Sequence, residues 1–194
     1  MAGHTVVLGL GNPVLRDDAV GLRVAERLKE ILRVDPVAGV DVLVSTRAGF
    51  ELIDILQGYE HAVIVDCLEL PEPVPGRVRK LDLERFAGSA RLNAAHEISI
   101  VTAFELAARL GIAMPRAVEI FAIEALDVRT LDEGLTEAVA ASVEPLAAEI
   151  HGMLKARAAG EKGQRQGEPS APGGKEPGPD SPPRRPFYSP WEDG

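Results

Sequence analysis

Residues 5–28 read TVVLGLGNPVLRDDAVGLRVAERL, and this stretch decides the fold. Thr5–Leu10 is an apolar run of strand length, broken by Gly9, Gly11 and the Asn12-Pro13 pair. Apolar residues then recur at Val20, Leu22, Val24, Ala25 and Leu28, which is helical spacing. A strand, a glycine turn and a helix in immediate succession are the opening unit of an α/β fold. The short loop between them carries Asp17 and Asp18 at the carboxyl edge of the first strand, where open α/β sheets build their sites. Acidic residues at a helix start also cap it and complement its dipole. One of the two is expected to cap the helix, a role assigned mainly to Asp17, and two adjacent carboxylates exceed what a cap needs, so the second could point into the cleft.

Outward from this unit, strands and helices alternate. Further strands are expected at Val40–Ser45, Ala62–Asp66, Arg77–Leu83 and Ala117–Ile123. Helices are expected at Ala19–Leu32, Gly49–Gln57, Ile98–Leu110 and Leu135–Leu154. Continuous apolar strands such as Val63-Ile64-Val65 indicate burial on both faces, as in parallel sheets. Between Asp66 and Arg77, however, lies CLELPEPVPG, with three prolines and no room for a crossover helix. The strand after it should run antiparallel to the others. The expected architecture is a three-layer α/β/α sandwich around a mixed, mostly parallel five-stranded sheet with one antiparallel strand.

The α/β domain is expected to span residues 1–158. From Ala159 to Gly194 the chain turns to Gly, Pro, Ser and charge, a composition that cannot bury enough surface to order itself, so residues 159–194 read as a disordered tail. The tail ends in Pro186-Phe187-Tyr188-Ser189-Pro190-Trp191, which reads either as a docking motif for a protein partner or as part of a solvated tail.

Composition removes several function classes. The chain has 194 residues, 45% of them hydrophobic, enough for one good core. A formal net charge of −9 argues against non-specific nucleic-acid binding. Apolar runs are strand-length, well short of the roughly 20 residues that span a bilayer, so no membrane insertion is expected. The first residues, Met-Ala-Gly-His, show no basic region followed by an apolar one, and no secretory signal is read there. Cys67 is the single cysteine, which excludes an internal disulfide and suits a cytoplasmic setting.

The chemistry-bearing residues are few. Gly9-Leu10-Gly11 resembles the start of a dinucleotide fingerprint, but Val14 stands where the third glycine belongs, and the second strand ends in Ser45-Thr46-Arg47 without a ribose-binding acid. A tight turn locked by Asn12 explains the glycines better. Asp66 closes the third strand on the same sheet edge as the Asp17-Asp18 loop. Cys67 beside it reads as a small buried hydrophobe rather than a nucleophile. His96 immediately precedes the helix that begins near Ile98. His4, His61 and His151 read as surface or edge residues. Asp18, Asp66 and His96 together offer two carboxylates and an imidazole, a set able to hold zinc, nickel, cobalt or manganese with positions left open. No HExxH or GxSxG motif is present.

From Thr5 to Leu154 the chain resembles the hydrogenase maturation proteases, endopeptidases that trim the C-terminus of the large-subunit precursor of nickel-iron hydrogenases. Four stretches carry the resemblance: GLGNPVLRDDAVG, the strand VIVD ending in Asp66, His96 with its following helix, and IFAIEALDVRTLDEGLTEAV. The resemblance implies that Asp18, Asp66 and His96 are the metal-binding and catalytic residues, with the general base unassigned. It implies that the metal is nickel supplied by the substrate, and that the partner is the hydrogenase large-subunit precursor. In the segment Ser45-Thr46-Arg47-Ala48-Gly49-Phe50, Thr46 and Gly49 fit the family's turn, whereas Ser45 replaces its first glycine. Two other functions are compatible with parts of the sequence: a non-catalytic nickel-sensing chaperone using the same three residues, and a nucleotide-binding oxidoreductase.

Overall fold

The structure, a computed structural model, describes residues 4–46, 50–82 and 100–165. The chain forms β1 (Thr5–Leu10), a 3-10 turn (Asp17–Ala19), α1 (Val20–Val34), β2 (Val40–Ser45), α2 (Glu51–Leu56), β3 (His61–Leu68), β4 (Val78–Asp82), α3 (Ile100–Leu110), β5 (Ala117–Glu124) and α4 (Glu137–Arg165). One five-stranded sheet has the order β2-β1-β3-β5-β4. β1 pairs in parallel with β2 and β3, and β3 in parallel with β5, while β4 lies antiparallel to β5. The proline-rich link thus does what its length dictates and returns the chain to the sheet without a crossover.

Alternation along the strands divides the core into two layers. Val7, Val63, Val65, Phe121 and Ile123 face α1 and α4, packing with Val24, Leu28, Leu146, Ile150 and Leu154. Val6, Leu8, Ala62, Ile64 and Ile120 face the other way, against Leu52 and Leu56 of α2 and Ile100 of α3. The central strands are buried on both sides, which is why they read as unbroken apolar runs. Among the described residues, no helix is long and apolar enough to cross a membrane.

Two glycines let the opening unit close. Gly21, in the first turn of α1, lies directly against the carbonyl oxygens of Leu10 and Val65, leaving no space for a Cβ. Gly11 has φ +148° and lies against the carbonyl of Asp18, so the chain leaving β1 folds back onto the turn that follows it. Further along, α4 runs past Ala158 to Arg165.

The antiparallel edge is fixed by Glu124, a fully buried carboxylate at the end of β5. Its Oε1 accepts from Arg79 Nε at 2.8 Å and its Oε2 from the Val74 amide, with Arg77 Nε 3.8 Å away. Burial pushes this carboxyl up, but the Val74 amide and the guanidinium groups of Arg79 and Arg77 outweigh it and hold it below the ordinary value of 4.5. A depressed carboxyl contributes stability that is present above the unfolded-state value and lost as pH falls through the folded one. Glu124→Gln is therefore expected to lower the thermal midpoint near neutrality and to flatten its decline on acidification. Midpoints measured between about pH 3 and pH 7 check this; parallel acid limbs for both proteins would remove Glu124 as the cause.

Candidate active site

The strand order reverses direction between β1 and β3, because β2 lies on one side of β1 and the rest of the sheet on the other. At such a switch point the loops leaving the two central strands diverge and open a crevice at their carboxyl ends. Here β3 also outruns its neighbour. Its register with β1 ends at Gly9 opposite Val65, whereas its register with β5 continues to Leu68 opposite Glu124. Asp66 and Cys67 thus lie past the last residue pair that β3 makes with β1, on the edge where the β1–α1 loop leaves the sheet. The strand is longer than the sequence suggested because β5 extends with it.

The loop is locked as its residues dictate. Asn12 Oδ1 accepts from the Val14 amide at 3.2 Å, a local turn of the kind Asn favours. The Asn12 amide in turn donates to Asp18 Oδ2 at 3.1 Å. The other oxygen, Asp18 Oδ1, accepts from the thiol of Cys67 at 2.9 Å. The Cys67 amide donates to Asp66 Oδ1 at 2.8 Å. The β1–α1 loop thus brings Asp18 against Cys67 in β3, next in the chain to Asp66. Burial pushes the Cys67 thiol well above its ordinary value, and the neighbouring carboxylates of Asp66 and Asp18 add to the effect. A thiol held protonated in this way is a hydrogen-bond donor rather than a nucleophile.

Asp17 is not the cap that the sequence suggested. No side chain caps either the 3-10 turn or α1. Instead the carboxylate is fully buried and points away from its own helix. It accepts four hydrogen bonds: from the amides of Leu126 at 3.0 Å, Asp127 at 2.9 Å and Thr136 at 2.7 Å, and from the Thr136 hydroxyl at 2.9 Å. Its own amide donates to the Asp127 carbonyl at 2.9 Å. A short antiparallel bridge between Leu15 and Leu131 continues the same contact. Arg16 adds ion pairs to Asp132 and, at 3.7 Å, to Asp127. The Thr130 hydroxyl and amide and the Arg129 amide hold Asp127 down to about 2, so it stays anionic opposite Arg16.

His96 lies outside the described residues, as do Arg47, Ala48, Gly49 and the segment 166–194. Of the other histidines, His4 is exposed, and His151 Nε2 lies 2.9 Å from the Asp35 carbonyl at the C-terminal end of α1. Among the described residues, no three His, Cys, Asp or Glu side chains form a metal-binding group. Asp18 and Asp66 are carboxylates of a kind able to ligate a divalent metal, set beside the half-buried thiol of Cys67. Sequence reasoning missed two residues here. The available signals were the doubled aspartate, one more carboxylate than a cap requires, and the position of Cys67 immediately after Asp66.

Comparison with known proteins bears on the family and the fold. The family model described as HycI, hydrogenase maturation protease, matches residues 22–153. The hydrogenase 2 maturation protease of Escherichia coli strain K12 is 27% identical over 153 residues, covering 77% of this chain and 90% of that protein. The solved hydrogenase maturating endopeptidase HybD of E. coli superimposes with a TM-score of 0.66 at 24% identity, over 78% of this chain and 92% of that one. The [NiFe] hydrogenase maturation protease HybD of Thermococcus kodakarensis gives a TM-score of 0.56 at 26% identity, over 78% and 98%. Because that family model matches more than half of the chain, the chain belongs to the hydrogenase maturation protease family.

Proposed function

We propose that the chain is a nickel-dependent endopeptidase that removes the C-terminal extension of a nickel-iron hydrogenase large-subunit precursor. The observation that carries this reading is the placement of Asp18 and Asp66 against Cys67 at the switch point of the sheet. In this reading the nickel belongs to the substrate. Asp18, Asp66 and His96 recognise it on the precursor, and the docked metal sets the scissile bond in the crevice. Hydrolysis then adds water across that peptide bond: the oxygen goes to the carbonyl carbon, the C–N bond breaks, and the proton goes to the departing amine. Asp18 is held from both sides, by the Asn12 amide and the Cys67 thiol, so it enters the site in one orientation. A carboxylate not engaged with the metal is suitably placed to take the water's proton. The same reading sets the reaction in a reducing cytoplasm, in keeping with Cys67 as a free thiol.

The test is precursor processing by wild type and by Asp18→Ala, Asp66→Ala and His96→Ala, on nickel-loaded and nickel-free substrate. Each substitution is expected to lower cleavage by on the order of 10²–10³-fold, the scale on which loss of one preorganised polar group lowers turnover. The wild-type chain alone should bind nickel weakly, since an open ligand set holds a metal less well than a closed one. Equal cleavage of nickel-free precursor would overturn the metal dependence. Tight binding of loaded precursor without cleavage would point instead to a nickel-sensing chaperone.

A further inference from the structure

We propose that Asp17 is a positioning residue for the cleavage reaction, acting through Asp18; the proposal rests on the reading of Asp18 given above. Asp17 and Asp18 share one planar peptide, and their side chains leave it for different partners. Asp17 reaches into the segment between β5 and α4, and Asp18 reaches the end of β3. Four donors and the Asp127 carbonyl fix Asp17 with no remaining freedom of rotation. The Ala19 amide, one residue beyond Asp18, closes on the Leu15 carbonyl at 3.2 Å, so Asp18 sits in a turn held at both ends. The carboxylate of Asp18 therefore has the position that Asp17 allows it.

The chemistry of the clasp is specific to a carboxylate. All four partners donate, and only an acceptor-only group with two oxygens can receive them. Asparagine would set its NH2 group against at least one of these donors. A clasp needed only for stability would leave turnover of the folded protein untouched when weakened. A clasp that places Asp18 would not.

Two substitutions separate these cases, measured on the full chain with nickel-loaded precursor at a temperature where each variant is folded. Asp17→Asn is expected to lower kcat by about 10²-fold with KM within about threefold of wild type, as for misplacement of a reacting group by around an ångström. Thr136→Val removes one donor of the four from the far side of the clasp and is expected to lower kcat by about tenfold. Thr136→Ser, which keeps the hydroxyl, should return kcat to within about twofold of wild type. If Asp17→Asn does not fold, the pair at Thr136 decides alone. Wild-type kcat in folded Thr136→Val, or a change confined to KM, overturns the proposal. Asp18→Asn run alongside distinguishes the two possible failures: if it is inactive while Thr136→Val is fully active, only the positioning role is lost. If Asp18→Asn cleaves normally, the reading of Asp18 fails and takes this proposal with it.

Discussion

Asp17→Ala is expected to destabilise the protein by about 3–5 kcal/mol, against about 1 kcal/mol for the typical loss of a helix cap. Removing the carboxylate, itself fully buried, leaves the amides of Leu126, Asp127 and Thr136 and the hydroxyl of Thr136 without their acceptor. Each buried donor left unpaired costs about 1–3 kcal/mol, and partial entry of water into the vacated space brings the total below the simple sum. Urea unfolding at constant slope is the measurement, with the shift in midpoint giving the loss. A loss under about 1 kcal/mol would return Asp17 to the role of an ordinary cap.

Gly21→Ala is the second large effect, and here the sign itself is informative. Alanine is the better helix former by about 1 kcal/mol, so local propensity alone makes this substitution stabilising. The structure requires the opposite. A Cβ at this position would collide with the backbone oxygens of Leu10 and Val65 and come within 3.0 Å of the Val65 carbonyl carbon. These atoms belong to the two central strands and have no rotamer to move into. The helix must lift from the sheet, at a cost of about 3 kcal/mol or more. Because the 3-10 turn precedes α1 directly, the shift also carries Asp18 away from Cys67. Gly152→Ala in α4 is the control, since nothing lies within 4 Å of its added Cβ; it is expected to be neutral or stabilising by up to about 1 kcal/mol. Equal thermal midpoints for the two variants would contradict the close approach at Gly21.

The main lines of the fold were legible because they depend on short-range pattern. The apolar run at Thr5–Leu10 and the helical spacing from Val20 onward specify their elements locally, and three prolines after Asp66 specify the reversal at β4. The family resemblance read from the glycine and aspartate motif also stands. What the sequence concealed was settled at long range. Asp17 meets its partners 109 to 119 positions away, and Cys67 meets Asp18 across 49. Read locally, Asp17 at the start of a helix is a cap; only the return of the chain after β5 supplies the donors that claim it. The length of β3 was hidden for the same reason, since Cys67 and Leu68 become strand only when β5 runs alongside them. α4 outlasts the compositional boundary at Ala158 because Ala, Glu, Lys, Gln and Arg there favour helix even where no apolar stripe continues.

The clasp at Asp17 also determines when during synthesis this protein becomes complete. The loop that carries Asp17 is closed by donors that emerge more than a hundred residues after it, the last of them at Thr136 just before α4. At the roughly 5–20 residues per second of translation, several seconds separate the two halves. A nascent chain stopped between Asp66 and Leu126 carries Asp18 and Asp66 but none of the donors that hold Asp17. The β1–α1 loop is thus completed only by the segment between β5 and α4, and shorter chains contain its two aspartates without the donors that hold the loop.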